Sequence, residues 1–367
     1  MYLLLFLILS FILSIVFTLI VKRIAFRYNI LDYPNSDSRK IHKKPTPLLG
    51  GTAVFLSFIL TIFFSYLFGY LPSENIQLKN LIGLSISGLI LVIGGFLDDC
   101  FHLKPKQQII WPILASLVVI GSGLGINYIN NPFSQGYIHF DSLKIEVFRF
   151  HGLPYYFTPW ADIFTFIWLL VLSYSTKLLD GLDGLVSGMG IIACLVIFGL
   201  CLFTQFYQPD VGLLALIFAG SLAGFLIFNF HPAKIFLGEG GSLMVGFYLG
   251  CLSLISGSKV AISFLVLGVA ILDVIWVILY RIFKEHKSPF LAGQEHFHFR
   301  LLKLGFSHKG AVFFLWIISA LWGGIALFFR TKVKLILIVL LISFVLLFDF
   351  LMEFCFLKNR GKEGKMS

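Results

Sequence analysis

Charge is scarce in this chain. Asp, Glu, Lys and Arg make up 13% of its 367 residues, about half of the roughly 25% usual in soluble globular proteins, and that excludes an ordinary water-soluble enzyme. The five cysteines (Cys100, Cys194, Cys201, Cys251 and Cys355) show no CxxC spacing and fall in or beside apolar runs. Neither a disulfide framework nor a zinc site is therefore indicated, and they read as small apolar fillers. Low-complexity tracts and clear internal repeats are also lacking, which leaves one domain over 1–367. Apolar residues, by contrast, reach 58% with a mean hydropathy of +0.94. They lie in continuous runs instead of the alternation a β-barrel would show, so the fold class is all-α and polytopic in a membrane.

Taking about 20 residues per crossing, eleven spans are expected, near 2–21, 48–68, 81–97, 109–128, 161–175, 186–206, 211–229, 242–256, 260–281, 311–329 and 334–356. The first is retained and not read as a signal peptide, because Lys22 and Arg23 follow its apolar stretch and no small-x-small cleavage site ends it. With the N-terminus outside, 21 of the 28 Lys and Arg residues fall on one side. The positive-inside rule makes that side, with the C-terminus, cytoplasmic. The net charge of +10 is thus topological, and no nucleic-acid partner is expected. In the long outside loop, Tyr137 to His151 alternates around Asp141 and Ser142, which predicts a small external β-hairpin.

Five polar segments stand out, all on the cytoplasmic side: 39–51, 98–106, 177–185, 229–242 and 293–307. An active site assembled from loops would produce such one-sided clustering. Asp98 and Asp99 are adjacent carboxylates beside apolar surroundings, and they call for a cation nearby. The bland alternative is a solvated helix end. Asp180 and Asp183 are each followed by glycine; at a helical spacing of three they share a face, although capping alone would account for Asp183. Gly238-Glu239-Gly240-Gly241-Ser242 opens a helix, exposing backbone amides to an anion and offering a hard oxygen ligand suited to magnesium. His296 and His298 lie with Arg300 and Lys303 in a basic loop without a third zinc ligand, so phosphate contact is the better reading. Asp273, inside the ninth span, reads as a polar anchor between helices, with Arg281 within indirect reach.

Together the five segments resemble the polyprenyl-phosphate N-acetylhexosamine-1-phosphate transferases, over about residues 39 to 307. The resemblance implies a multi-pass plasma-membrane enzyme with a cytoplasmic active site. It would transfer a sugar 1-phosphate from a UDP-sugar to a polyprenyl phosphate lipid and release UMP. It places Asp98 and Asp99 near the lipid phosphate, magnesium at Glu239, and the uridine nucleotide at Asp180, Asp183, Asn229 and Phe236, with the aromatic ring on uracil. His296 and His298 fall near the diphosphate. Catalytic roles are accordingly expected of Asp98, Asp99, Asp180, His296 and His298, and substrate contacts of His42, Lys106, Lys177, Asp183, Asn229, Phe236, Gly238 and Arg300.

The chain departs from the family pattern in three places. Tyr174 and Lys177 replace an Asn pair, Phe299 replaces a third histidine, and Gly293 and Gln294 replace an Asp-Arg. Lysine has no lone pair for a metal, so the resemblance leaves magnesium, or manganese in its place, on Glu239, with Asp180 or water filling the vacancy. Lys177 is then expected on the diphosphate. The run His296-Phe297-His298-Phe299-Arg300 is closer to the UDP-N-acetylglucosamine branch than to the phospho-N-acetylmuramoyl-pentapeptide branch, which is the runner-up. A transporter, a non-catalytic scaffold and a homodimeric state are the remaining alternatives.

Overall fold

In the computed structural model, the described residues are 1–34, 42–73, 75–126, 128–131, 136–150, 153–203, 207–255, 260–286, 293, 295–329 and 331–363. The expected residues 39–41, His151 and Gln294 lie outside them. Helices occupy each expected span: α1 (Tyr2–Arg27), α2 (Gly50–Leu67), α3 (Leu78–Phe101), α4 (Pro105–Gln108), α5 (Ile110–Gly121), α6 (Pro159–Leu179), α7 (Leu185–Phe203), α8 (Pro209–Asn229), α9 (Glu239–Leu254), α10 (Val260–Tyr280), α11 (Phe297–Lys303), α12 (His308–Phe328) and α13 (Thr331–Glu363). Among the described residues, eight helices are long and apolar enough to cross a membrane. With 12 residues in α5 and 16 in α9, those two fall short of the roughly 20 that a crossing needs.

The packing inverts the pattern of a soluble protein. On α1, Ser10, Ser14 and Thr18 are buried while Leu4, Ile8, Ile12 and Val16 are exposed. Lipid is as apolar as leucine, so helices associate through small residues and hydrogen bonds instead of hydrophobic faces. Accordingly the Ser14 hydroxyl donates to the Ser221 carbonyl at 2.5 Å. Gly224 of α8 lies so close to α1 that a Cβ there would come 2.4 Å from the Phe11 carbonyl oxygen.

At the centre is α9, buried from Gly240 through Leu254 and packed on α2, α3, α6, α7, α8 and α10. Its first turn meets α2 and α3 at backbone contact: a Cβ on Gly51 would lie 2.2 Å from the Gly241 Cα, and one on Gly95 2.1 Å from the Gly240 Cα. The glycines therefore bring three helix ends to one point, and the acidic residues flanking them with it.

Six short strands form three antiparallel pairs. β1 (Leu31–Asp32) pairs with β2 (Thr46–Pro47), β3 (Tyr128–Asn130) with β4 (Tyr137–His139), and β5 (Ile145–Phe150) with β6 (Leu153–Phe157). The segment from β3 to β6 thus differs from the expected single hairpin. Asp141 does not reverse β4 onto β5; its carboxylate accepts from Lys144 at 2.9 Å and lies 3.3 Å from His139 Nδ1, making a local link. β4 pairs back and β5 pairs forward. Alternation identifies strand residues but carries no information about their partners.

Candidate active site

Three helix ends and two loops converge beside the first turn of α9. On the α3 side, Asp98 is buried and its Oδ1 accepts from the Leu103 amide at 2.9 Å and from Gln108 Nε2 at 3.1 Å. Its neighbour Asp99 turns about 100° away and accepts the Glu239 amide at 3.2 Å, placing a carboxylate at the positive end of α9. Gly238 makes this approach feasible. Its φ of 78° and ψ of 169° belong to a region open essentially to glycine alone, and a Cβ there would sit 2.6 Å from Asp99 Oδ2. The adjacent carboxylates thus diverge, Asp98 toward α4 and Asp99 toward α9.

The cation that this pair demanded is Lys177. Its ammonium, on the last turn of α6, lies 2.8 Å from Glu239 Oε2, 2.9 Å from Gln108 Oε1 and 4.0 Å from Asp98 Oδ2. Its nearest carboxylate is thus that of Glu239. Gln108 bridges both sides, because its amide donates to Asp98 and to the Leu103 carbonyl while its oxygen accepts from Lys177. Sequence reasoning missed Gln108; it lies just beyond the 98–106 segment, and a glutamine carries no signal of its own.

The loop 180–184 forms the other side. Asp180, just past α6, is exposed; its amide donates to the Lys177 carbonyl at 3.3 Å, and its carboxylate has no hydrogen-bond or ion-pair partner among the described residues. Surrounding protein, then the negative charges of Glu239 and Asp183, push its carboxyl up to about 8 even though it opens to solvent. Behind it the loop is fixed at each step. A Cβ on Gly181 would meet His298 Nε2 at 2.1 Å, the Asp183 amide donates to His308 Nε2 at 2.9 Å, and the Gly184 amide donates to Asn229 Oδ1 at 3.1 Å. Asp183 Oδ2 lies 2.7 Å from His231 Nδ1 and accepts the Ala233 amide at 3.1 Å, and His231 stacks on His308 with centroids 4.0 Å apart. Sequence reasoning missed His231 and His308. The first lay inside a segment noted for Asn229 and Phe236, the second just past the 293–307 segment.

The histidines of α11 lie deeper than anticipated. His298 is wholly buried, neither ring nitrogen has a hydrogen-bond partner among the described residues, and burial followed by His296 and His308 holds its pKa well below the usual imidazole value. It is therefore neutral. His296 Nδ1 lies 2.9 Å from Asp273 Oδ2, and Asp273 Oδ1 accepts the Phe297 amide at 2.8 Å. A carboxylate only accepts, so Nδ1 carries a proton toward Asp273. Asp273 is thus the expected anchor between helices, with His296 as its partner. Arg281 pairs with Glu295 Oε2 at 2.5 Å, and Arg300 Nε donates to the Glu295 carbonyl at 2.5 Å.

Among the nucleotide contacts expected, Asn229 is buried with its oxygen accepting from Gly184 and Ser187 and its amide donating to the Ile235 carbonyl at 3.1 Å, so it braces two loops. Phe236 is half-buried, its backbone pinned because its amide donates to Pro47 and its carbonyl accepts from Gly50. Its ring meets His42 edge-on at 5.1 Å. Lys106 is exposed on α4, and Lys43, Lys44, Lys104 and Lys234 are exposed on the same loop segments. The site is thus acidic within, with lysines exposed on the segments that form it.

Magnesium fits the donor set. Asp180 and Glu239 offer hard carboxylate oxygens, the donor type that magnesium takes.

Residues 81–257 match the sequence profile of Glycosyl transferase family 4. A protein of Bacillus subtilis named "Probable undecaprenyl-phosphate N-acetylglucosaminyl 1-phosphate transferase" is 30% identical over 319 residues, covering 85% of this chain and 80% of its own length. The decaprenyl-phosphate N-acetylglucosaminephosphotransferase of Mycolicibacterium smegmatis is 26% identical over 84% of this chain and 76% of its own. The phospho-N-acetylmuramoyl-pentapeptide-transferase of Prochlorococcus marinus is 30% identical over 77% of this chain and 76% of its own. The end of α3, α4, the 180–184 loop and the 229–242 segment all fall within the matched profile, and the chain belongs to glycosyl transferase family 4.

Proposed function

We propose that the protein transfers N-acetylglucosamine 1-phosphate from UDP-N-acetylglucosamine to a polyprenyl phosphate at the cytoplasmic face of the cell membrane. An oxygen of the lipid phosphate attacks the β-phosphorus of the donor. The bond from that phosphorus to the bridging oxygen breaks, UMP leaves with the electron pair, and a lipid-diphosphate sugar remains. The names of the relatives support the substrates. The observation that carries the reading is the convergence of Asp98, Asp99 and Glu239 around the first turn of α9, with the Lys177 ammonium between Glu239 and Asp98 and Asp180 exposed three residues on.

Each group has a task that follows from its placement. Phosphoryl-type transfer depends on positioning and charge neutralisation more than on covalent help. Asp180 and Glu239 would hold magnesium, or manganese in its place, which when bound neutralises the donor diphosphate. Phe236, rigidly pinned, offers its ring to uracil, and Asn229 keeps the loops on either side in register. Asp98 and Asp99 end α3 where a lipid headgroup arrives. Exposed lysines on the surrounding segments raise the local concentration of both anionic substrates. His298 backs the Gly181 turn, so its contribution reaches substrate through Asp180.

The test is UMP release by purified protein supplied with UDP-N-acetylglucosamine, magnesium and polyprenyl phosphate. Release is expected only when all three are present. Preference for UDP-N-acetylmuramoyl-pentapeptide would transfer the proposal to the other branch, and no release from either donor would refute it.

A further inference from the structure

A lysine on the last turn of a membrane helix ordinarily extends its stem to put the ammonium in water. Lys177 turns inward instead: its side chain is 12% exposed, and the ammonium sits among Glu239, Gln108 and Asp98. Those partners come from α9, α4 and α3, so the contact is not a local accident of one helix. Gln108 is itself fixed by two hydrogen bonds to the α3 end, which leaves the ammonium's position specified from outside its own chain segment.

We infer that Lys177 is a tethered counter-ion that competes with the divalent cation for Glu239. In the metal-free protein the ammonium neutralises Glu239 and part of the charge of Asp98. When the cation takes the Glu239 oxygens, the ammonium is displaced, because two cations cannot share that carboxylate at contact distance without strong repulsion. Lysine suits this exchange, being a compact charge on a flexible four-carbon stem with no lone pair to join the coordination. From the end of α6, three residues before Asp180, the freed ammonium is placed to meet the donor diphosphate. Lys177 is thereby a positioning residue that couples ion loading to donor binding, a role resting on the proposal that Asp180 and Glu239 hold the ion.

Competition has a signature that an ordinary structural ion pair lacks. Removing the charge should strengthen binding of the ion, whereas breaking a helix-to-helix brace would only loosen the fold. The probe is Mn2+ alone, titrated into purified full-length protein and followed by electron paramagnetic resonance without substrate. Lys177→Met should bind Mn2+ about tenfold more tightly than wild type, within the usual range of coupling between two sites, and Lys177→Arg should bind like wild type. Equal or weaker binding by a folded Lys177→Met protein overturns the inference. A second measurement needs no variant: amine-reactive labelling of Lys177 in the wild type, read by mass spectrometry, should rise several-fold when Mn2+ is added. Unchanged labelling at saturating Mn2+ also overturns it. Absence of Mn2+ binding in wild type and Lys177→Met alike refutes the ion assignment to Asp180 and Glu239, and the inference falls with it. Binding that is lost in Asp180→Asn yet indifferent to Lys177 leaves that assignment standing and refutes the inference alone.

Discussion

The α3 side of the site and the loop after α6 hold their carboxylates in opposite ways. Asp98, Asp99 and Glu239 have partners in Leu103, Gln108, Lys177 and the first amide of α9. The Asp180 carboxylate has none among the described residues, and although burial and then the charge of Glu239 act on Asp98 and Asp99 as well, those two keep hydrogen bonds that Asp180 lacks. A buried or crowded charge without compensation costs stability, so a fold tolerates it where something else completes it. The paired side is preorganised scaffold that is ready before substrate arrives. On the proposed reading, the unpaired side is where a metal ion, shared with Glu239, would supply the missing positive charge.

Several substitutions would break or sharpen that contrast. The largest effect short of Asp180 itself is expected at Asp98 and Asp99. Replacement by Asn keeps a hydrogen-bond acceptor but removes the charge, and UMP release should fall by about 100-fold or more with folding intact. Near-normal rates in both single variants would reduce the α3 side to a structural helix end. Next comes Asp273→Ala, which strands the His296 Nδ1 proton and the Phe297 amide. Each orphaned buried donor costs about 1–3 kcal/mol, and a thermal melt in detergent should show the loss. A smaller loss, about 1–3 kcal/mol from backbone strain, is expected for Gly238→Ala, where the new Cβ also presses on Asp99. Gly69→Ala is its control, with a similar φ of 74° and no atom within 4 Å; it should leave turnover unchanged where Gly238→Ala lowers it.

The smallest effect is a pH dependence confined to the metal-free protein. Folded Asp180 keeps its proton up to about 8, while the ordinary value is 3.8. Between those values the folded state binds more protons than the unfolded, so stability falls as pH rises through the window. The amplitude is modest because the carboxyl opens to solvent. Melting temperature should drift downward from pH 5 to 8, and both Asp180→Asn and added Mg2+ should flatten the drift. An upward drift would place Asp180 beside a positive charge and contradict the assignment.

Much of this was legible in the chain. Continuous apolar runs located eleven of the thirteen α-helices among the described residues and missed only the short α4 and α11, because lipid forces each spanning backbone to satisfy itself locally. The acidic pairs and Gly238-Glu239-Gly240-Gly241 located the site, because charge and glycine near a membrane boundary have few bland uses. What the sequence did not disclose were partners. Nothing near Lys177 pointed to Gln108, 69 residues earlier, and nothing near Asp183 pointed to His308, 125 residues later. Asp273 was noted as an anchor, yet its bond to His296 spans 23 residues and two elements. The strands from β3 to β6 failed likewise, since alternation fixed the strand residues and left pairing open. Spacing encodes local geometry, whereas contact between distant segments depends on how the helices pack.

The contrast between the two sides comes to one experiment: the rate of UMP release by Asp180→Asn, measured against wild type with UDP-N-acetylglucosamine, polyprenyl phosphate and saturating magnesium, beside a thermal melt of each protein. Removing the uncompensated carboxylate should lower the rate by at least about 1,000-fold while leaving the metal-free melting temperature unchanged or slightly higher, because the repulsion from Glu239 and Asp183 is relieved. A folded Asp180→Asn protein that turns over near the wild-type rate would contradict the account.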